Sequence, residues 1–186
     1  MVDTDSLKKL ADLKVDGETL EAMALESSNS KMYVNNRAKN QVEVVDRIKP
    51  GIIASWPVIL GKMNVAMAFD RANHRLFVGC RSGVIVVMDT GTGKELQALP
   101  IAKGVDDLVF DPASKRIYAA CGGGTGYIYV YKEEDADHYQ LLGKVASGPG
   151  GRNGLLVPEL KKYFVVVPEN EGKPAQVLVY REMGAS

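Results

Sequence analysis

The sequence predicts an all-β chain made of four similar antiparallel sheets, and three observations predict it. First, one segment recurs four times: MALESSNSKMYVNN from Met23, MAFDRANHRLFVGC from Met67, LVFDPASKRIYAAC from Leu108 and LLVPELKKYFVVV from Leu155. Their aromatic anchors Tyr33, Phe77, Tyr118 and Phe164 stand 44, 41 and 46 residues apart. Second, each segment is followed by another apolar run: QVEVVD ending at Asp46, VIVVMD at Asp89, YIYVYK at Lys132 and QVLVYR at Arg181. Third, these runs are rich in Val, Ile, Tyr and Phe and are cut by turn residues, with no long 3.6-residue period of a helix. Repeats of roughly 40–50 residues with four strands each are the pattern of a β-propeller blade.

The elements follow in order within each unit. An inner strand leads into a turn, the second strand carries the aromatic, and the third ends in Asp, Lys or Arg. GIIASWPV from Gly51, GKELQALPI from Gly93 and YQLLGKVAS from Tyr139 supply an outermost fourth strand. The repeats run over about 16–58, 59–101, 102–147 and 148–181 of a single domain, 1–186, with 1–15 as an amino-terminal closing strand. Stacking such sheets radially covers faces that no single sheet can hide and protects its edges.

Asp111-Pro112-Ala113-Ser114-Lys115-Arg116-Ile117-Tyr118, with Val84-Ile85-Val86-Val87-Met88-Asp89 and Gly93-Lys94-Glu95-Leu96, resembles the YVTN-type propeller repeat. That repeat reads P-D-G-K-R-L-Y-V-T-N, then V-x-V-I-D, then G-K-V-V. The resemblance covers nearly the whole chain and implies the propeller fold rather than a particular function. It also implies a seven-bladed, exported protein, and this chain departs from the family on both counts.

The last unit has three strands, through Arg181. Ser6 to Val15 reads as an outer strand with nothing before it, and Val2-Asp3 as the tail of a third strand. Two closures fit: a four-bladed ring made by one chain, or an eight-bladed ring made by a homodimer that exchanges amino-terminal strands. A fragment of a longer parent is the third arrangement. The short units, without extra helices, look like those of larger rings, which favours the homodimer.

Charge excludes some partners. The 23 basic and 23 acidic side chains cancel, so neither nucleic acid nor an anionic membrane is expected. The residues Met1 to Val15 lack the basic start and apolar stretch of a secretory signal. A cytoplasmic protein is expected, or a secreted or periplasmic one if a signal peptide was removed.

Chemistry is sparse. Gly91-Thr92-Gly93-Lys94 lacks the Ser or Thr and the first Gly of a phosphate loop, and reads as a hairpin turn. Cys121-Gly122-Gly123-Gly124-Thr125-Gly126 lacks dinucleotide spacing and reads as a tight positive-φ connection. His74 and His138 have no second ligand at metal spacing. Glu134, Asp135 and Asp137 lack the alternation and the Gly of a calcium loop. Cys80 and Cys121 hold equivalent places in neighbouring sheets, which pack about 10 Å apart, so no bridge is expected. Trp56, before Pro57, sits on an outer strand, where local packing is its simplest role. No metal or cofactor is expected.

A binding reading remains. The channel mouth is predicted to carry Glu21, Asn64, Asp106, Asp107, Arg152 and Asn153. Asn35, Asn36, Arg37, Lys39, Arg81 and two glycine-rich loops lie on the same rim. Asp70, Asp111, Glu159 and the Glu133–Asp137 hairpin form an acidic opposite rim. The sequence thus supports a non-catalytic scaffold that binds a protein or a polar small molecule through Asn64, Asp106, Asp107, Arg152, Asn153, Arg37 and Arg81. The alternatives are a lactonase-like hydrolase or lyase using Asp106 and Asp107, and a purely structural self-assembling half-propeller.

Overall fold

The computed structural model describes residues 3–9 and 12–181. Fifteen strands among them form four antiparallel sheets in chain order. Blade 1 is β1 (Leu20–Leu25), β2 (Lys31–Asn36), β3 (Gln41–Asp46) and β4 (Gly51–Pro57). Blade 2 is β5 (Asn64–Asp70), β6 (Arg75–Cys80), β7 (Val84–Asp89) and β8 (Glu95–Pro100). Blade 3 is β9 (Val105–Asp111), β10 (Arg116–Cys121), β11 (Tyr127–Asp135) and β12 (His138–Ala146). Blade 4 has three strands: β13 (Asn153–Val157), β14 (Lys162–Val167) and β15 (Gln176–Arg181). The repeat arithmetic therefore yields the expected architecture, a β-propeller with four blades per chain.

Alternation sends each strand's side chains to two faces. The first three aromatic anchors, Tyr33, Phe77 and Tyr118, point toward the following blade. Tyr33 packs on Phe69, Phe77 on Phe110, and Tyr118 on Tyr163, with ring centroids 5.7, 5.4 and 5.1 Å apart. These three anchors are 1%, 0% and 5% exposed. Fully burying a side chain of this size contributes about 1.5–3 kcal/mol. Three clusters result, one in each gap between neighbouring blades. Hydrogen bonds reinforce them: the Tyr131 hydroxyl donates to the Pro100 carbonyl at 2.6 Å, and the Tyr180 hydroxyl to that of Ala146 at 2.8 Å.

Blade 4 is shifted by one residue from the expected alignment. Met67 pairs with Val78 and Leu108 with Ala119, on the face toward the preceding blade. In blade 4 the pair Leu156 with Tyr163 takes that place, and Leu155 pairs with Phe164 on the other face. The short 3-10 turn Pro158–Leu160, closed by Lys161 at φ 50°, replaces the longer turns of the other blades.

Consecutive inner strands β1, β5, β9 and β13 pack side by side, whereas β1 and β13 do not close on each other as these neighbours do. The four blades form an arc. The expected strand Ser6 to Val15 includes Leu10 and Ala11, and Val2-Asp3 includes Val2, which lie outside the described residues. None of the named strands begins before Leu20.

Candidate functional site

The rim that carries the starts of the inner strands is shaped by bulges. The register slips between Leu20 and Met23 in β1, between Asn64 and Ala66 in β5, and between Ala120 and Cys121 opposite β9. A bulge re-aims a side chain that regular pleating would fix. In β9 the residue skipped by the ladder is Asp106, between Val105 and Asp107.

Asp106 is held between two guanidinium groups. Arg81, which follows β6, donates its Nε to Asp106 Oδ1 at 2.8 Å, and its Nη2 donates to the same oxygen. Arg152, just before β13, places its Nε 2.8 Å from Asp106 Oδ2. One carboxylate between two guanidiniums leaves the group net positive, and the Arg152 side chain is 54% exposed. Lys103, exposed on the β8–β9 connection, adds a further positive charge to this part of the rim.

Asp107 turns the other way. Its Oδ2 accepts the Gly154 amide at 2.9 Å. Burial raises its pKa from the ordinary aspartate value, and the amides of Gly154 and Leu108 counter that shift in part. Asp107 is therefore a tie between blades 3 and 4, not part of the Arg81–Asp106–Arg152 cluster.

Three other expected residues are also placed elsewhere. Asn64 is fully buried. It donates to Asn35 Oδ1 at 2.9 Å and to the Gln41 carbonyl at 3.0 Å, while Asn35 donates to the Ala66 carbonyl at 3.0 Å. This amide seam joins blades 1 and 2. Arg37 pairs with Glu21 at 3.0 Å within blade 1. Asn153 is exposed at the start of β13 and borders, with Arg152, Gln176 and Val177, a depression at the rim end of the Phe164 face of blade 4. Sequence reasoning found the rim but could not see which side chains share it, because bulges and blade-to-blade pairings decide that.

The glycine-rich loops serve backbone packing. Gly122 N–H donates to the Gly104 carbonyl at 3.0 Å, and Gly150 N–H to that of Gly122 at 2.9 Å. A Cβ at Gly122 would meet Gly150 backbone at 3.0 Å. Cys80 and Cys121 are buried free thiols whose pKa burial pushes up to about 12. Trp56 packs on Tyr33 at 5.5 Å. His138 lies 2.8 Å from the Asp135 carboxylate in the exposed β11–β12 hairpin, which raises its pKa.

No protein-family model matches the chain, and none of the curated proteins matches it. Solved structures do. Hydrazine synthase of Kuenenia stuttgartiensis is similar over 90% of this chain and 49% of its own, with a TM-score of 0.75 at 16% identity. A putative 6-phosphogluconolactonase from Bacteroides uniformis is similar over 85% of this chain and 49% of its own, with a TM-score of 0.68 at 12% identity. The computationally designed Ika4 protein is similar over 95% of this chain and 100% of its own, with a TM-score of 0.69 at 15% identity. The chain spans about half the length of the first two of these structures. Likeness at such identities speaks for architecture alone, and the architecture that it shows is the β-propeller.

Proposed function

We propose that the protein is a non-catalytic propeller module that binds an acidic segment of a partner protein at the Arg81–Asp106–Arg152 rim. The observation that supports this reading is the pair of guanidiniums converging on one carboxylate. The rigid blades hold both cations in place, and Arg is suited to carboxylate recognition because its planar fork donates in pairs. Asp106 occupies the position that an incoming carboxylate shares or takes over. Exposure of Arg152 gives access, and the surrounding loops are braced by backbone hydrogen bonds, so little ordering accompanies binding.

The test uses fluorescent oligoglutamate and oligolysine peptides as probes in titrations against the intact protein. Oligoglutamate binds more tightly, and its affinity falls as salt is raised. Arg152→Ala weakens it roughly ten- to a hundredfold, the scale of one or two charge-assisted hydrogen bonds. Asp106→Asn strengthens it, because the internal competitor has lost its charge. Equal affinity for the two peptides, or no response to Arg152→Ala, would refute the reading.

A further inference from the structure

We propose that two copies of this chain close one eight-bladed ring, the Phe164 face of each packing on the Met23–Leu25 face of the other. The amino-terminal segment of each then runs beside the partner's β15. The inference is independent of the rim reading and rests on interfaces that the chain already makes three times.

The first argument is the anchor series. Tyr33, Phe77 and Tyr118 are buried against an apolar ring of the next blade. Phe164 holds the same place in blade 4, and no blade follows blade 4 among the described residues. Around it Val177 and Val179 are 60% and 53% exposed, although Val42 and Val44, their equivalents in β3, are 0% and 1% exposed. A contiguous apolar face of this kind marks an interaction site.

The second argument is that the receiving half is open too. Phe69 and Phe110 receive the anchors of blades 1 and 2, and Leu25 stands at their position in β1, paired with Met32 as Phe69 pairs with Leu76. Met23 is the equivalent of Met67 and Leu108. Leu25 and Met23 are 44% and 62% exposed, whereas Met67 and Leu108 are 8% and 5% exposed. One chain therefore carries both halves of the same interface, unmet. Within the arc the two halves do not meet, since β1 and β13 lack the contacts that neighbouring inner strands make, so a second copy brings them together, and two copies satisfy both pairs at once.

The third argument is the path of the amino-terminal segment. Arg37 N–H donates to the Thr19 carbonyl at 3.0 Å, just as Arg81 N–H donates to Met63 and Gly122 N–H to Gly104, each at 3.0 Å. Met63 and Gly104 end the connections that bring the chain from an outer strand to the next inner strand. Asp16 to Thr19 enters β1 by the same route, with Asn36 Nδ2 donating to the Asp16 carbonyl at 2.8 Å. Before it, half-buried Leu13 and Val15 alternate with exposed Asp12 and Lys14. The segment thus arrives as the outer strand of a preceding blade. In blades 1 to 3 the outer strand pairs with the third strand, and β15 is the third strand that has no such neighbour among the described residues.

Light scattering coupled to size exclusion tests this on the full chain and two variants, each checked for folding by circular dichroism. The full chain elutes with the mass of two chains. Phe164→Arg alone elutes as one chain. A Leu13→Pro/Lys14→Pro variant also elutes as one chain, because successive amides point to opposite sides of a strand and one of the two prolines removes an amide needed by β15. Mixed in equal amounts, the two variants recover a two-chain species, since one intact junction remains. A full chain of single mass overturns the proposal, as does a mass above two chains. A proline variant that stays dimeric while Phe164→Arg does not overturns it as well, because it shows the Phe164 face meeting its partner without the exchanged strand. Should a variant not fold, Val179→Glu replaces Phe164→Arg and Met23→Glu replaces the proline pair, since both side chains are exposed in the single chain, and the same outcomes decide.

Discussion

Glu133 is a carboxyl group buried at the gap between blades 2 and 3. Its backbone amide donates to the Lys115 carbonyl at 2.8 Å, and its side chain shares a hydrogen bond with Asp70, itself buried. Asp70 in turn accepts the amides of Ala72 and Asn73 at 3.0 and 3.3 Å. Burial, then the charge of Asp70, raise the Glu133 pKa from 4.5 to about 7, and Asn73 and Lys115 counter them in part. A carboxyl whose pKa is higher folded than unfolded stabilises the protein below the unfolded value and loses that contribution as pH rises through the folded one. Stability from this pair is therefore present below pH 4.5 and falls away between there and about 7. Glutamine donates to Asp70 at every pH. Glu133→Gln is expected to leave Tm nearly unchanged at pH 4.5 and to raise it at pH 8 by roughly 2–8 °C, the scale of ~1–2 kcal/mol in a domain of this length. Thermal unfolding at the two pH values checks this; an equal shift at both would show that Glu133 is not the titrating group.

At the scale of the element, Gly126 shows how closely the blades are joined at the rim. Its φ is +75°, and an added Cβ would run into the Gly148 carbonyl. Ser147 N–H donates to the Gly126 carbonyl at 3.1 Å, so the turn before β11 cannot step aside without breaking the exit from β12. Gly126→Ala is expected to destabilise the fold by about 2–4 kcal/mol, combining a disfavoured backbone with a steric overlap. Gly124→Ala, also at positive φ but with open space around it, costs about 1 kcal/mol. Urea titrations of both variants test the difference. Spacing in the sequence made the strands and the direction of each hairpin readable, because strand pairing within a blade is local and repeats. It did not make the blade 4 register readable: a turn one residue shorter moved Leu155 to the opposite face, and only pairing with Phe164 reveals it. Asn64 starts β5 where the sequence puts it, but its burial in the seam is not readable, for a related reason. A polar residue at a predicted channel mouth and a polar residue in a seam look alike in sequence, and the distinction is the Asn35 amide from the neighbouring blade. Asp106, Arg81 and Arg152 are legible as rim residues, but the meeting of both guanidiniums at Asp106 depends on a bulge that no residue type announces.

For the whole molecule, the eight-bladed ring makes a definite statement about one strand. Along β15, alternate amides point to β14 and away from it. The inward amides are bonded in the ladder that pairs Phe164 with Val179 and Val166 with Val177. In a single arc the outward amides meet solvent and exchange quickly. In the ring they are covered by the partner's amino-terminal segment, and the whole strand opens only when the interface or the blade does. Hydrogen exchange of the intact protein, read residue by residue by NMR, is therefore expected to show continuous protection from Gln176 to Arg181. Dilution into the range where the two chains separate should convert it to alternating protection, while β6, β7 and β10, buried between neighbours on both sides, keep theirs. Phe164→Arg should give the alternating pattern at every concentration, because the mutated side chain lies on the docking face and leaves the β14–β15 ladder in place. Alternating protection in the intact protein at high concentration would mean that β15 is an open edge and that the Phe164 face, if covered at all, is covered without strand pairing.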